Sequence, residues 1–173
     1  MTPPERTPLP IDIYCQYPAP WLAPVDRPTM KKVLAIMLLH ANNSIGYRAI
    51  HGLELHLVND ATMAENNEQF MSCCGPTNIL SFPGGEDMPG VLILSLDTFT
   101  RECILYGQQR TVHFLRLLSH GIGHIAGLDH GEKMEALMEK CCGAAVDFLR
   151  KAASDEEKYV SPGKAGRGSV VEK

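Results

Sequence analysis

The sequence lacks any hydrophobic run long enough to cross a membrane. Its longest unbroken apolar stretch, Val33–Leu39, has seven residues, whereas a spanning helix needs about 20. A secretory signal is also missing, because Pro3, Pro4, Pro8 and Pro10 interrupt the N-terminus where a signal needs a continuous apolar core. These absences predict a cytoplasmic protein that has no membrane partner.

An excess of positive charge is missing as well. Lys and Arg total 16 against 20 Asp and Glu, which gives a formal net charge of −4. This balance excludes a protein that binds nucleic acid through bulk charge, and it leaves room only for a local basic patch. Any nucleic acid partner must therefore be recognised by a few residues at one site.

The cysteines offer neither a disulfide framework nor the C-x-x-C spacing of a thiolate zinc site. Four of the six form two adjacent pairs, and neighbours in the chain cannot cross-link distant segments. The six positions are Cys15, Cys73, Cys74, Cys103, Cys141 and Cys142. We expect reduced thiols of a cytoplasmic protein, which serve as small core residues.

What the sequence does have is the composition of a globular protein, with 45% hydrophobic and 21% charged residues among 173. Apolar alternation and periodicity predict four strands and about five helices. The predicted strands are Ile11–Tyr14, Leu53–Val58, Thr77–Phe82 and Val91–Leu96. The predicted helices cover residues 30–40, 60–70 and 132–151, and two or three further helical pieces begin at Thr98 and are broken near Gly107 and Gly127. The fold class is therefore α+β, a single domain with a mixed sheet of about four strands.

The domain is expected to span residues 1–155. Residues 1–10 form an extended, proline-rich leader, and residues 156–173, which are polar and rich in glycine, form a flexible C-terminal tail. Thr29 is the predicted N-cap of the first helix and Asp60 that of the second, because short polar side chains accept hydrogen bonds from free backbone N–H groups.

Three histidines carry the chemistry of the sequence. His120 and His124 are four residues apart, so on a helix they share one face, with Cβ atoms roughly 5–6 Å apart. Gly127 follows one turn later and can end the helix in the left-handed conformation, which would bring His130 back over the same face. Single histidines are more often packing or surface residues, but this spacing predicts one zinc ion per chain, with one position left for water.

The His-x3-His-x5-His layout resembles the metal helix of metzincin-type peptidases. In those enzymes a Glu follows the first histidine as general base, whereas Gly121 stands at that place here. Peptide cleavage by that mechanism therefore lacks its proton acceptor. Zinc would still lower the pKa of a bound water toward about 7 and so supply a nucleophile. Asp129 is either an acceptor that orients an imidazole or a turn residue that bonds its own backbone, and no general base is assigned.

Two motifs resemble the YbeY family of bacterial rRNA maturation factors. The family hallmark H-G-x-L-H-L-x-G-Y-D-H is matched at His120, Gly121, His124, Gly127, Asp129 and His130, with milder departures at Ile125 and Leu128 and a larger one at Gly123. Residues Pro76–Pro83 resemble the family strand P-T-[DN]-V-L-S-F-P, and the order of the predicted elements also agrees over roughly residues 11–150.

The resemblance implies one α+β domain in which His120, His124 and His130 hold zinc. It also implies a cytoplasmic endoribonuclease that is specific for single strands, matures the 3′ end of small-subunit rRNA and acts in ribosome biogenesis and quality control. Its partners would be single-stranded RNA, small-subunit rRNA and small-subunit particles. In that picture Thr77–Phe82 lines one wall of the metal cleft.

Two positions depart from the family pattern. Met71 stands where the family has an Arg before its T-[DN]-V-L-S-F strand, and Val91 replaces the Asp of G-D-I-V-I-S. Loss of one phosphate-binding Arg costs about 1.5–3 kcal/mol, the usual value of a hydrogen bond to a charged group. Either Arg48 or Arg110 substitutes for it, or this protein cleaves weakly. The candidates for a basic groove beside the first helix are Arg27, Lys31, Lys32 and Arg48.

Three functions are compatible with these patterns. The leading hypothesis is hydrolysis of phosphodiester bonds in single-stranded RNA. The alternative is a ribosome-assembly or interaction factor whose zinc is mainly structural, with little or no turnover, and a third is a hydrolase of another bond. An open metal position that faces a groove would favour catalysis, whereas a fourth protein ligand would indicate a structural metal.

Overall fold

The structure is a computed structural model, and it describes residues 9–44 and 47–159, with the backbone alone for 156–159. The strands are β1 (Ile11–Cys15), β2 (Leu53–Val58), β3 (Ile79–Phe82) and β4 (Gly90–Ser95), and the helices are α1 (Arg27–Asn42), α2 (Asp60–Met71), α3 (Leu96–Leu105), α4 (Arg110–Ile125) and α5 (Glu132–Tyr159). Four strands and five helices in one domain confirm the predicted α+β class.

The four strands form one mixed sheet in the order β1-β2-β4-β3. Strands β1, β2 and β4 are parallel, and β3 lies antiparallel to β4 at the edge. β4 occupies a central position because its side chains are apolar on both faces, which suits a strand covered from both sides. Leu92 of β4 pairs with Leu55 of β2 and with Ser81 of β3.

The two faces of the sheet are covered unequally. On one face, alternating leucines of β2 and β4 pack under α1 and α4, and α5 packs across those two helices to complete the main core. On the other face, Met63 of α2 packs with Val58, Leu80 and Ile93 in a small second cluster. The main core therefore lies between the sheet and α4, which is the helix that carries His120.

Both predicted helix caps are wrong by one to three residues. Asp26, not Thr29, caps α1 by accepting a hydrogen bond from the backbone N–H of Thr29 at 2.7 Å. Asn59, not Asp60, caps α2 in the same way, and Asp60 is the first helical residue. In each case two neighbouring residues have short polar side chains, so the sequence alone does not discriminate between them.

Two further element boundaries, the start of β3 and the end of α5, differ from the predicted ones. β3 begins at Ile79 rather than Thr77, because the Asn78 side chain accepts the hydrogen bond of the Ile79 N–H at 2.7 Å. α5 continues to Tyr159, past the predicted end near Lys151, since no Gly or Pro interrupts residues 152–159. Residues 1–8 of the predicted leader and 160–173 of the predicted tail lie outside the described residues.

Candidate metal centre

The helix that carries the histidines is pressed against the sheet at Gly121. A Cβ placed on Gly121 would lie 2.5 Å from Cδ2 of Leu92 and 3.0 Å from Oγ of Ser81. These separations are shorter than van der Waals contact, so glycine is the residue that permits this packing. A side chain at position 121 would point into the sheet, which is why this position cannot supply a general base.

The end of α4 is a Schellman turn. Gly127 has φ of 84°, its N–H donates to the His124 carbonyl at 3.0 Å, and the Leu128 N–H donates to the Gly123 carbonyl at 3.0 Å. Glycine adopts this left-handed conformation without a steric penalty. The turn reverses the chain after α4 and returns His130 toward the helix, as the sequence predicts.

The three histidines converge on one point. One ring nitrogen of each of His120, His124 and His130 lies within 4.8 Å of the others. The Nε2 atoms of His120 and His124 are 3.2 Å apart, and two nitrogens at 2.0–2.1 Å from a tetrahedral zinc ion are separated by about 3.3–3.4 Å. His120 and His124 therefore have the spacing of two ligands of one metal ion, and His130 lies close enough to be a third.

His124 is held in the tautomer that a metal ligand needs. Its Nδ1 lies 3.0 Å from the carbonyl oxygen of Leu128, and a carbonyl only accepts, so Nδ1 carries the proton and donates it. Nε2 is then unprotonated and directs its lone pair toward His120. A backbone carbonyl that orients a ligating imidazole is a usual companion of metal sites, and here the Schellman turn places that carbonyl.

The surroundings of His120 favour its neutral imidazole. His120 and His124 are half-buried and His130 is exposed. Burial lowers the pKa of His120 below its ordinary value of 6.5, and the neighbouring His124 and His130 lower it further. A neutral ring offers the lone pair that binds a metal, so the site is ready for a cation at neutral pH.

Among the described residues, no fourth His, Cys, Asp or Glu joins the three histidines. Instead, His120 stands between two cavities. The first, of about 430 Å³, is called the β3-side cavity, and its lining includes Met71, Leu80, Ser81, His120, His124 and Asp129. The second, of about 330 Å³, is called the α3-side cavity, and its lining includes Asn78, Glu102, Tyr106, His113, Arg116 and His120.

The substitutes considered for the missing Arg do not line either cavity within the described residues. Met71 lines the β3-side cavity and is 45% exposed, so the wall expected to carry an Arg is apolar. Arg110 donates to the backbone carbonyl of Leu22, and its guanidinium lies 5.0 Å from the centre of the Phe99 ring. Arg48 joins the α4 end only through its backbone N–H.

The basic residues of α1 do not reach the site either. Arg27, Lys31 and Lys32 line neither the β3-side nor the α3-side cavity among the described residues. Lys31 instead lies 3.7 Å from the carboxylate of Asp12. The expected basic groove along the first helix is therefore not found beside the histidines.

Sequence reasoning missed two features of the α3-side cavity. Arg116 lines it, and the signal was present, because Arg116 precedes His120 by four residues and so shares its helix face. Glu102 joins three elements, since it pairs with His113 at 2.8 Å and accepts from the Asn78 amide at 3.0 Å. No sequence spacing relates residues 78, 102 and 113, so only the fold brings them together.

The fold and the histidine group define a single-domain α+β protein with three histidines that could hold a metal ion. A sequence profile described as Endoribonuclease YbeY matches residues 22–147. The chain therefore belongs to the YbeY family. None of the helices in the described part of the chain is both long and apolar enough to span a bilayer.

Individual relatives agree with this assignment. Endoribonuclease YbeY of Nitratidesulfovibrio vulgaris is 40% identical over 150 residues, covering 74% of this chain and 90% of the relative. That of Lawsonia intracellularis is 42% identical over 116 residues, covering 66% and 82%. A solution structure of a Thermotoga maritima protein matches with a TM-score of 0.58 and 22% identity, covering 90% of this chain and 99% of that one, and it supports the fold alone.

Proposed function

We propose that this protein is a zinc-dependent endoribonuclease that cleaves single-stranded RNA. The observation that carries the proposal is the convergence of His120, His124 and His130 beside the β3-side cavity, which His120 and His124 line, while His120 also lines the α3-side cavity. Open coordination positions are typical of catalytic rather than structural zinc. The name Endoribonuclease YbeY, which the matching relatives carry, gives the substrate class.

The chain prepares this site in two ways. His124 is oriented by the Leu128 carbonyl, and burial lowers the pKa of His120, which favours its neutral ring. When bound, zinc supplies Lewis acidity toward a phosphoryl oxygen and lowers the pKa of a water molecule. Position 121 faces the sheet, so the proposal places no carboxylate base there.

The biological substrate is proposed from the family resemblance. The substrate would be the 3′ region of small-subunit rRNA, met on small-subunit particles in the cytoplasm during ribosome biogenesis and quality control. A net charge of −4 counts mildly against an RNA substrate, because proteins that bind single strands usually offer a positive groove, so recognition would depend on a few residues at the site. One zinc ion per chain is expected.

The test is cleavage of single-stranded and duplex RNA of the same sequence, with and without a chelator. Cleavage should be confined to the single strand, should stop on chelation and should return with zinc. His120→Ala, His124→Ala and His130→Ala should each abolish it, whereas His51→Ala, an exposed histidine that lines neither cavity, should not. Cleavage that persists in the three variants would refute the proposal.

A ribosome-assembly factor with a structural zinc is the second candidate, and Met71 favours it, because the cavity wall there lacks a charge for RNA phosphate. This candidate expects association with small-subunit particles and no turnover. It also expects the three histidine variants to unfold. Folded variants that lose only cleavage, as judged by circular dichroism, would exclude this candidate.

A further inference from the structure

One cation lies directly beside the histidine group. Arg116 precedes His120 by one helical turn on the same face of α4, which separates their Cβ atoms by roughly 5–6 Å. Both residues line the α3-side cavity. A phosphate held at the histidines would therefore have a neighbouring phosphate within reach of a long guanidinium side chain.

Arg116 also lacks a side-chain partner among the described residues, unlike Arg101 and Arg110. Within the described residues it has no ion pair and no side-chain hydrogen bond, whereas Arg101 bonds Asp60 and Arg110 bonds the Leu22 carbonyl. Its side chain is exposed. A guanidinium without a partner, in a cavity that contains a metal-site histidine, is suited to an anionic ligand because it forms paired hydrogen bonds with phosphate oxygens.

The same cavity offers an aromatic surface. Tyr106 follows the last residue of α3, is 67% exposed and lines the α3-side cavity with Arg116. Tyrosine rings stack on unpaired bases irrespective of sequence, and such stacking is a main source of affinity for single strands. Duplex bases are already stacked on one another, so this surface favours a single strand.

Acidic residues mark where the basic surface ends. Arg116 also lines the neighbouring groove between α4 and α5, where Glu135, Glu139 and Asp147 outnumber the one other cation, Arg150. The carboxylates repel phosphates, so this groove is a poor continuation of an RNA strand. In the α3-side cavity the carboxylate of Glu102 is instead paired with His113 and Asn78, which leaves Arg116 to bind a phosphate there.

We propose that the α3-side cavity is a nucleotide subsite for single-stranded RNA. Arg116 binds the phosphate next to the one at the histidines, and Tyr106 stacks on the adjoining base. The inference rests on the proposed function and deepens it. The phosphate-binding cation then lies on α4, on the side of His120 opposite Met71. Met71 is the position at which the family resemblance expects an Arg.

The test uses the full-length, zinc-loaded protein and a fluorescein-labelled single-stranded oligoribonucleotide of mixed sequence. Anisotropy gives the Kd at several salt concentrations, over times in which gels show the strand intact. Arg116→Ala should raise the Kd about tenfold and reduce the slope of log Kd against log salt by about 0.7, the value for one phosphate contact on a single strand. Arg116→Lys should retain the slope.

Tyr106→Ala should also raise the Kd, by about tenfold, but should leave the salt slope unchanged because stacking releases no counterions. Arg27→Ala is the matched control: Arg27 is an exposed arginine outside both cavities, and its loss should alter neither the Kd nor the slope. Zinc content should equal that of the wild type in all variants.

Two outcomes separate the inference from the proposed function. If the wild type cleaves RNA and Arg116→Ala keeps the wild-type salt slope, the subsite is refuted while the nuclease activity stands. An equal loss of slope in Arg27→Ala would refute the subsite in the same way, because it would indicate general charge attraction. If the wild type neither binds nor cleaves the strand, the proposed function fails, and the subsite fails with it.

Discussion

Two polar clusters of this protein differ in whether the chain satisfies them. The first, called the Asp60 network, consists of Asp60, Ser95, Thr98 and Arg101. The Asp60 carboxylate accepts hydrogen bonds from both hydroxyls at 2.6 Å and from the guanidinium at 2.9 Å. The second is the histidine group, whose ring nitrogens face one another and whose only bond to the backbone is that of His124 to Leu128.

The comparison separates a cluster whose groups satisfy one another from a group that could hold a metal ion. The Asp60 network ties the start of α2 to the β4–α3 junction and leaves little capacity for a ligand. The histidine group instead brings one ring nitrogen from each of three side chains within 4.8 Å of the others. Its rings contact one another, at 3.2 Å between the Nε2 atoms of His120 and His124, and each ring nitrogen that carries no proton can bind a cation. Substitutions in the two clusters should therefore affect different measurements.

The largest expected effect is on activity, in the histidine group. His124→Ala removes a ligand and its oriented lone pair, so zinc content should fall and RNA cleavage should decrease roughly 10²-fold or more. The free energy of unfolding of the metal-free protein should change little, because the ring is only half-buried and its two hydrogen bonds, to the Leu128 carbonyl and to His120, lie at the edge of the fold. Metal analysis, cleavage rates and urea denaturation measure the three quantities. A loss of stability without a loss of zinc would contradict the comparison.

The next effect is on stability, in the Asp60 network. Asp60→Ala leaves the Ser95 and Thr98 hydroxyls without their acceptor and leaves Arg101 with only the Thr98 hydroxyl, and it should lower the free energy of unfolding by about 2 kcal/mol. Zinc content and cleavage should be unchanged at temperatures where the variant is folded. Asp147→Ala is the control, because this exposed carboxylate lies 4.0 Å from Arg150 and should contribute almost nothing.

A smaller effect is expected at the contact that positions the histidine helix. Gly121→Ala places a methyl group 2.5 Å from Leu92, and it should destabilise the protein by about 1–3 kcal/mol through overpacking. Gly143→Ala on α5 meets no atom within 4 Å and should stabilise it by about 0.5–1 kcal/mol through helix propensity. In thermal denaturation, a lower Tm for Gly121→Ala together with a higher Tm for Gly143→Ala would support the close packing of α4 on the sheet. A higher Tm for both variants would contradict it.

The smallest effects concern pH, and the two clusters should respond in different windows. The pKa of His120 is lowered from 6.5 by burial and by its neighbouring histidines. Protonating this ring therefore costs more free energy in the folded protein than in the unfolded chain. Zinc occupancy and the stability of the metal-free protein should both fall as the pH drops below 6.5. His120→Ala should remove that part of the stability change.

The Asp60 carboxylate should respond only in acid. Burial raises its pKa, but hydrogen bonds from Ser95, Thr98 and Arg101 outweigh burial and lower the pKa below 3.8. A lowered folded-state pKa gives stability that is present above 3.8 and is lost as the pH falls through the folded-state value. The stability difference between wild type and Asp60→Asn should therefore shrink below pH 3.8. A difference that stayed constant down to pH 2 would contradict this assignment.

Much of the fold was predictable from periodicity, whereas several details depended on neighbours. The apolar run of β4 predicted a central strand, because its side chains need cover on both faces. The caps at Asp26 and Asn59 were not predicted, since an equally suitable residue lies one to three positions away. Arg116 carried a usable local signal, its four-residue spacing from His120, while the Glu102–His113 pair carried none.

The sequence by itself determined the histidine group, because its geometry is local. Residues four apart share a helix face, and a glycine after the helix permits the left-handed turn that returns His130. Only the tertiary structure decided what surrounds the group. The contact of Gly121 with β4, the two cavities that meet at His120 and the free position of Arg116 all depend on side chains far apart in the chain, whose contacts form only when the sheet and the helices pack together.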